Sequence, residues 1–136
     1  MAEPLRILLV EDNPGDARLI QEALAQHRPS EVHVVSDGVQ ALEFLRDGTP
    51  PELIILDLNL PKKDGREVLA EIKQDSFLRR IPIVVLTTSE SEEDVGRTYD
   101  LHANCYITKP VNLDRFMAVV KAIEEFWFGI VTLPPR

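Results

Sequence analysis

The sequence is poor in cysteine and has no long apolar stretch. Its single cysteine, Cys105, excludes an internal disulfide and is typical of a protein in a reducing cytoplasm. The start, MAEPLR, lacks the basic segment and apolar run of a secretory signal, and no run approaches the roughly 20 apolar residues of a membrane-spanning helix. We therefore expect a cytoplasmic protein that does not enter a membrane.

Basic residues are scarce relative to acidic ones, with 15 Lys and Arg against 23 Asp and Glu and a net charge of −8. A negative field of this size disfavours nucleic acid as the main partner and suits the binding of cations or basic protein surfaces. The 136 residues, 44% of them hydrophobic, are enough for one globular domain with its own core. We expect a single domain spanning residues 1–136.

Short apolar runs rich in Ile, Val and Leu recur along the chain: LRILLV, VHVVS, LIILD, IPIVVLTT and CYIT. They are typical of strands buried on both faces, and amphipathic segments typical of helices separate them. The fourth of these segments, between Ser89 and Leu101, is polar and has the weakest pattern. Alternation of this kind predicts an α/β protein, a flavodoxin-like (βα)5 doubly wound parallel sheet with strand order 2-1-3-4-5.

Polar side chains follow four of the five predicted strands. Glu11 and Asp12 follow the first strand, Asp57 the third, Thr87 closes the fourth and Lys109 follows the fifth. Because ligands bind outside the carboxyl ends of parallel strands, we expect these side chains to converge on one edge of the sheet.

This set of side chains predicts a site for a metal ion and a phosphoryl group. Three carboxylates packed together repel one another, and a hard divalent cation such as Mg²⁺ removes the conflict. Asp12 and Asp57 can supply oxygen ligands, and Glu11 can hold a metal-bound water. An anion arriving between Mg²⁺, Lys109 and Thr87 would find complementary groups, as a phosphoryl group in transfer requires.

Each residue also has an ordinary structural interpretation. Asp12 could be an acid at a helix N-terminus, Asp57 a turn cap, Thr87 a strand residue and Lys109 a solvated turn lysine. The joint occurrence at four strand ends favours the functional interpretation.

Three alternatives compete with it: an enzyme, a flavin binder and a binding scaffold. An aspartate-based phosphohydrolase on a similar sheet needs a second acid two residues after its nucleophile, where this chain has Asn59. A flavin binder needs a phosphate-cradling loop after the first strand, where Glu11 and Asp12 would repel phosphate. The scaffold would use the same surface without being phosphorylated.

The sequence resembles the receiver domain of two-component response regulators from about Leu5 to Phe126. The resemblance implies a stand-alone regulator that signals to another, unidentified protein and acts as a phosphoacceptor rather than as an enzyme. The positions that carry it are Glu11, Asp12, Asp57, Pro61, Gly65, Thr87, Lys109 and Pro110.

The resemblance implies a role for each residue of the site. Asp57 would take the phosphoryl group from a phosphohistidine on a sensor histidine kinase, and Lys109 would contact that group. Mg²⁺ would be held by Glu11, Asp12, Asp57 and the backbone carbonyl of Asn59.

The resemblance also implies a conformational switch. The Thr87 hydroxyl would move towards the phosphoryl oxygens, and Tyr106 would turn inward and repack the face formed by the fourth helix, fifth strand and fifth helix. Lys109–Pro110 would be a cis peptide bond. Asn59 and Ser89 occupy the two variable positions that tune the lifetime of the acyl phosphate in this family.

Four longer segments are similar to regulators paired with phytochrome-type histidine kinases: DLNLPKKDGREVLAEIK, VVLTTS, LHANCYITK and EEFWFGIVTLP. They imply a kinase of that type as the partner. Residues 126–136 form an apolar extension of the last helix, larger than one helix end usually needs, and an exposed apolar patch indicates an interface. We expect a homodimer, with candidate contacts at Phe126, Trp127, Phe128, Ile130 and Val131.

Overall fold

A computed structural model describes residues 4–26, 29–89 and 91–134 of the chain. Both ends of the predicted domain, residues 1–3 and 135–136, lie outside the described residues. Five strands form the sheet: β1 (Leu5–Val10), β2 (Ser30–Val35), β3 (Leu53–Leu56), β4 (Ile83–Thr87) and β5 (Cys105–Thr108).

Helices alternate with these strands, as the sequence predicts. None of the helices in the described ranges is long and apolar enough to cross a bilayer. A short 3-10 turn (Leu78–Arg80) precedes β4, and a π-helical segment (Glu125–Ile130) follows the last α-helix. The α-helices are α1 (Pro14–Leu24), α2 (Gly38–Arg46), α3 (Gly65–Gln74), α4 (Glu92–Asp100) and α5 (Leu113–Glu124).

The strands pair in parallel in the order β2-β1-β3-β4-β5, which confirms the predicted doubly wound topology. The central strand β3 consists only of Leu and Ile, and every one of its residues is buried. Alternate side chains of the central strands enter two separate apolar cores, one on each face of the sheet. Burial on both faces explains why the strands appear in the sequence as continuous apolar runs.

The helices begin at capping residues that the sequence supplies locally. The side chains of Asn13, Asp37, Asp64, Ser91 and Asn112 each accept a hydrogen bond from a backbone N–H in the first turn of their helix. This capping explains why α4 forms although its apolar pattern is weak.

The structure has a trans bond between Lys109 and Pro110, contrary to the predicted cis bond; no peptide bond among the described residues is cis. Trans is the preferred X–Pro state by about 0.5–1 kcal/mol. It is compatible with the site, because the backbone N–H of Lys109 donates to the Thr87 carbonyl at 2.7 Å and holds the end of β5 beside β4.

Gly65 lets the start of α3 lie directly against the backbone that carries Asp57. A Cβ atom on Gly65 would lie 2.3 Å from the carbonyl oxygen of Asp57 and 2.6 Å from the Cα of Leu58. The Gly65 N–H donates to the Leu58 carbonyl at 2.9 Å. These neighbours are backbone atoms, so they cannot move aside by a change of rotamer.

We expect Gly65→Ala to lower the free energy of unfolding by about 1–3 kcal/mol, because the methyl group must displace the Asp57 loop. Gly96→Ala is the control, since a Cβ there meets nothing within 4 Å. In the interior of α4 it should stabilise by up to about 1 kcal/mol. Urea denaturation measures both, and equal stability of the two variants would contradict the close approach.

Candidate functional site

The side chain of Lys109 lies at the centre of the cluster at the carboxyl edge of the sheet. Its ammonium nitrogen is 3.0 Å from Asp57 Oδ2, 3.0 Å from Asp16 Oδ2, and hydrogen-bonded to Glu11 Oε1. The Lys109 side chain is 4% exposed. Residues distant in sequence, three of them directly after β1, β3 and β5 and one in α1, therefore meet at one buried cation.

Backbone pairing between adjacent strands sets the positions of the two buried carboxylates. The N–H of Glu11 donates to the Val35 carbonyl at 3.0 Å, and the N–H of Asp57 donates to the Val10 carbonyl at 3.0 Å. The ladders of the sheet thus continue one residue past β1 and β3. Backbone hydrogen bonds alone therefore place Glu11 and Asp57 beside each other.

Asp57 is held by donors on both of its carboxylate oxygens. Oδ1 accepts the backbone N–H of Asn59 at 3.0 Å and the Thr87 hydroxyl at 2.8 Å, while Oδ2 accepts the ammonium of Lys109. Burial opposes ionisation, but the Asn59 N–H, the Lys109 charge and the Thr87 hydroxyl outweigh it and lower the pKa of Asp57. The Asp57 carboxylate is therefore ionised at neutral pH.

Glu11 differs from Asp57 in its ionisation. Burial raises the pKa of Glu11 to about 7 against the hydrogen bond and charge of Lys109, and the charge of Asp57 adds to the rise. The pKa of Lys109 stays above its ordinary value, because contacts with Glu11 and Asp57 outweigh the effect of burial. The carboxylates of the cluster outnumber its single cation, Lys109, so part of their negative charge is not balanced within the cluster.

A divalent cation fits this charge excess. Carboxylate oxygens of Glu11, Asp12 and Asp57 all lie within 4.8 Å of one another, and Asp12 is exposed at the mouth of the cluster. An all-oxygen donor set suits a hard cation such as Mg²⁺. The acidic triad predicted from sequence is thus brought together by the fold.

Asp16 joins the site although the sequence analysis did not select it. It lies in the first turn of α1, four residues after Asp12, and its carboxylate is 28% exposed. Its distance of 3.0 Å from the Lys109 ammonium adds a third carboxylate to that cation. An acid in the first turn of a helix is common for structural reasons alone, so the sequence did not single out Asp16.

The two predicted switch residues, Thr87 and Tyr106, both make hydrogen bonds in the structure. The Thr87 hydroxyl points at Asp57, and the Tyr106 hydroxyl donates to the Ser89 carbonyl at 2.8 Å. The Tyr106 ring packs against the apolar core on its face of the sheet. Asn59 Nδ2 lies 3.5 Å from the Thr87 hydroxyl. The movement of these groups and the role of the Asn59 carbonyl stay predictions.

The apolar C-terminal segment divides into a packed and an exposed part. Trp127 and Phe128 pack against the core between the sheet and α1 and α5. Phe126 is 49% exposed and Ile130 is 75% exposed, whereas Val131 is half-buried. Only part of the predicted dimer surface is therefore free to contact another molecule.

A sequence model of the response regulator receiver domain matches residues 7–121. Response regulator Rcp1 of Synechocystis sp. is 54% identical over 138 residues, which cover 96% of this chain and 94% of Rcp1. The probable methanogenesis regulatory protein FilR2 of Methanothrix harundinacea is 43% identical over 133 residues, covering 93% of this chain and 86% of FilR2. The predicted family is confirmed over most of the chain.

Solved structures of response regulators share the fold. The crystal structure of the phosphorylated cyanobacterial phytochrome response regulator RcpA matches with a TM-score of 0.95 and 56% identity, over 98% of this chain and 100% of that one. The Mn²⁺-bound form of Rcp1 matches with a TM-score of 0.93 and 52% identity, over 97% and 100%. The predicted fold is confirmed, and one of these similar proteins binds a divalent metal ion.

We expect Lys109→Met to lower the free energy of unfolding by about 3–5 kcal/mol near neutral pH, because Glu11 and Asp57 would be buried without a countercharge. Their folded-state pKa values would then lie above the unfolded ones. Groups shifted upward stabilise below the unfolded pKa and lose that contribution as the pH rises, so the deficit should shrink on acidification.

Urea denaturation at about pH 8 and about pH 5 measures this difference. Lys121→Met is the control, since Lys121 is 53% exposed and lies 4.0 Å from Glu125. Its effect should stay within about 0.5 kcal/mol at both pH values. A deficit for Lys109→Met that does not depend on pH would contradict the role of its charge.

Proposed function

Since the chain belongs to the response regulator receiver domain family, we propose that Asp57 accepts a phosphoryl group from a sensor histidine kinase in a Mg²⁺-dependent reaction. The observation that carries this proposal is one buried, ionised carboxylate with Lys109 on one oxygen and Thr87 on the other. An acidic triad fit for a divalent cation lies beside it.

The transfer uses the Asp57 carboxylate as the nucleophile. One of its oxygens forms a bond to phosphorus while the bond between phosphorus and the kinase imidazole nitrogen breaks, and that nitrogen keeps the electron pair. Glu11, Asp12, Asp57 and the Asn59 carbonyl would hold Mg²⁺, which supplies neutralisation of charge on the phosphoryl oxygens. Lys109 and Thr87 are placed to contact the same oxygens.

The signal would pass from Asp57 to the face formed by α4, β5 and α5. The phosphoryl group adds close to two negative charges and several acceptor oxygens, which strengthens the contacts with Thr87 and Lys109. Moving a two-state face from 1:99 to 99:1 takes about 5.5 kcal/mol of differential stabilisation. Tyr99, Val111 and Leu113 are exposed apolar side chains on these elements or just before α5, where a downstream protein could dock.

The proposed kinase partner is of the phytochrome type. The support is the similarity to the cyanobacterial phytochrome response regulator RcpA at 56% identity over nearly the whole chain. Exchange with such a kinase implies a cytoplasmic location, which agrees with the single cysteine. A domain spanning residues 1–136, with residues 126–136 as an extension, is part of the same proposal.

The phosphohydrolase alternative has little support. Asn59, two residues after Asp57, has no acidic proton, so it cannot serve as the general acid or base that such an enzyme needs at this position. The scaffold alternative is distinguished by a phosphorylation experiment, because a scaffold would take up no phosphoryl group.

We expect the intact chain to gain one phosphoryl group from a small-molecule phosphodonor when Mg²⁺ is present. Asp57→Asn should gain none, because its amide is not a nucleophile. Asp47→Asn, at the exposed end of α2, makes the same chemical change outside the site and should behave as the unmodified chain. Intact-protein mass measures all three, each with and without a chelator.

Labelling of Asp57→Asn at normal stoichiometry would show that another residue is the acceptor. No labelling of any protein, with donor or with a phytochrome-type kinase, would favour the scaffold.

A homodimer through the C-terminal segment is a further part of the proposal. Phe126 and Ile130 are four residues apart, about one turn of the π-helical segment, and both are exposed. They therefore lie on one side of this segment, while Trp127 and Phe128 attach it to the core. This arrangement gives a rigid apolar surface that a second copy could cover.

We expect Phe126→Asp combined with Ile130→Asp to weaken self-association at least tenfold, since charges would be buried at the interface. Val39→Asp is the control, because Val39 is 41% exposed and lies in α2, which packs on the opposite face of the sheet from the C-terminal segment. Sedimentation equilibrium, before and after treatment with phosphodonor, measures the association. An unchanged mass in both states would remove these residues from the interface.

A further inference from the structure

Arg66 connects the first turns of α3 and α4. Its Nε is 2.9 Å from Asp94 Oδ1 and its Nη2 is 2.6 Å from Asp94 Oδ2, which makes a two-pronged ion pair. Its Nη1 reaches both oxygens of Asp64 at 3.1 Å. The side chains of Arg66 and Asp94 are each only 19% exposed. A fork of this geometry defines the relative position of two elements more strictly than a single contact.

The pair extends to the residue that Tyr106 contacts. Asp94 Oδ2 accepts the Ser89 hydroxyl at 2.6 Å, and the Ser89 carbonyl accepts the Tyr106 hydroxyl at 2.8 Å. Ser89 is thus held from both sides. It lies two residues after Thr87, whose hydroxyl contacts Asp57.

Arg66 is also anchored to the phosphoacceptor strand on its other side. It directly follows Gly65, whose backbone contacts the backbone of Asp57 and Leu58. Asp64 caps α3 through the Arg66 N–H at 2.8 Å and at the same time receives the guanidinium. A continuous series of contacts therefore connects the Asp57 backbone to the start of α3. It continues from Arg66 to Asp94 and Ser89, and from Ser89 to Tyr106.

We propose that Arg66 and Asp94 are positioning residues that hold Ser89 where Tyr106 can bond to it and Thr87 can reach Asp57, and thereby strengthen binding of the phosphoryl group. The proposal rests on the phosphoacceptor function of Asp57. Its physical basis is that any contact present only in the binding-competent conformation raises the population of that conformation.

The ion pair between Arg18 and Glu22 lacks this construction. Arg18 and Glu22 are 81% and 56% exposed and belong to one helix, and pairs of this kind contribute little. Hydrogen bonds from Arg66 and then Ser89 lower the pKa of Asp94 to about 2. The pair therefore stays charged over the whole range in which the protein would work.

Binding of beryllofluoride, a phosphoryl mimic, in the presence of Mg²⁺ tests the proposal by calorimetry. We expect Arg66→Gln and Asp94→Asn each to weaken binding about three- to tenfold. The double variant should be no weaker than the worse single one, because both remove the same interaction. Arg66→Lys keeps the charge but loses the fork, so it should restore part of the affinity.

The role of Ser89 is tested in a Ser89→Ala background. There the hydroxyl link is already absent, and Arg66→Gln should change the affinity less than about twofold. Arg46→Gln is the matched control, because Arg46 forms an exposed 3.6 Å pair with Glu71 outside this network. It should leave the affinity unchanged. Thermal unfolding shows whether each variant is folded. If Arg66→Gln does not fold, the affinity of Asp94→Asn tests the proposal in its place.

The outcomes separate this inference from the proposed function. Failure of the unmodified chain to bind beryllofluoride and to be labelled would overturn both. Normal binding by the unmodified chain, with unchanged binding by Arg66→Gln and Asp94→Asn, would overturn the inference alone. An undiminished effect in the Ser89→Ala background would show that the pair is only a brace between helices, which also overturns it.

Discussion

The ammonium group of Lys109 among three carboxylates is the interaction on which the site depends. Glu11, Asp16 and Asp57 reach it from three different elements, and two of these carboxylates are almost fully buried. Burial of such charges costs several kcal/mol per ion unless they are paired. The lysine therefore makes an acidic pocket compatible with a folded core, while the remaining excess of negative charge suits a divalent cation.

The sheet makes this pairing possible because it brings strand ends together without using side chains. The ladders continue past β1 and β3, and the start of α3 lies against the Asp57 backbone through Gly65. The positions of the carboxylates are thus set by backbone hydrogen bonds and close backbone contact. A site built on such elements keeps its geometry when a ligand charge arrives, which electrostatic stabilisation of phosphoryl transfer requires.

Hydrogen bonds of Thr87 and Tyr106 lie between Asp57 and the start of α4. Thr87 touches Asp57, Tyr106 reaches the carbonyl of Ser89, and Ser89 is bonded to Asp94 at the start of α4. These bonds have definite donors and acceptors, so they are either made or broken. In the proposed switch, a change of charge at Asp57 would therefore bias discrete arrangements of the face formed by α4, β5 and α5.

The sequence by itself determined the parallel sheet, its order and the presence of Glu11, Asp12, Asp57, Thr87 and Lys109 at one edge. These features depend on local periodicity and on strand ends, which adjacent residues encode. Only the tertiary structure decided that Asp16 forms an ion pair with Lys109, that Arg66 forms one with Asp94 and that the Lys109–Pro110 bond is trans. Lys109 is 93 residues from Asp16 and Arg66 is 28 from Asp94. Contacts between side chains so far apart in sequence depend on how whole helices and strands pack together. They therefore cannot be predicted from local sequence patterns.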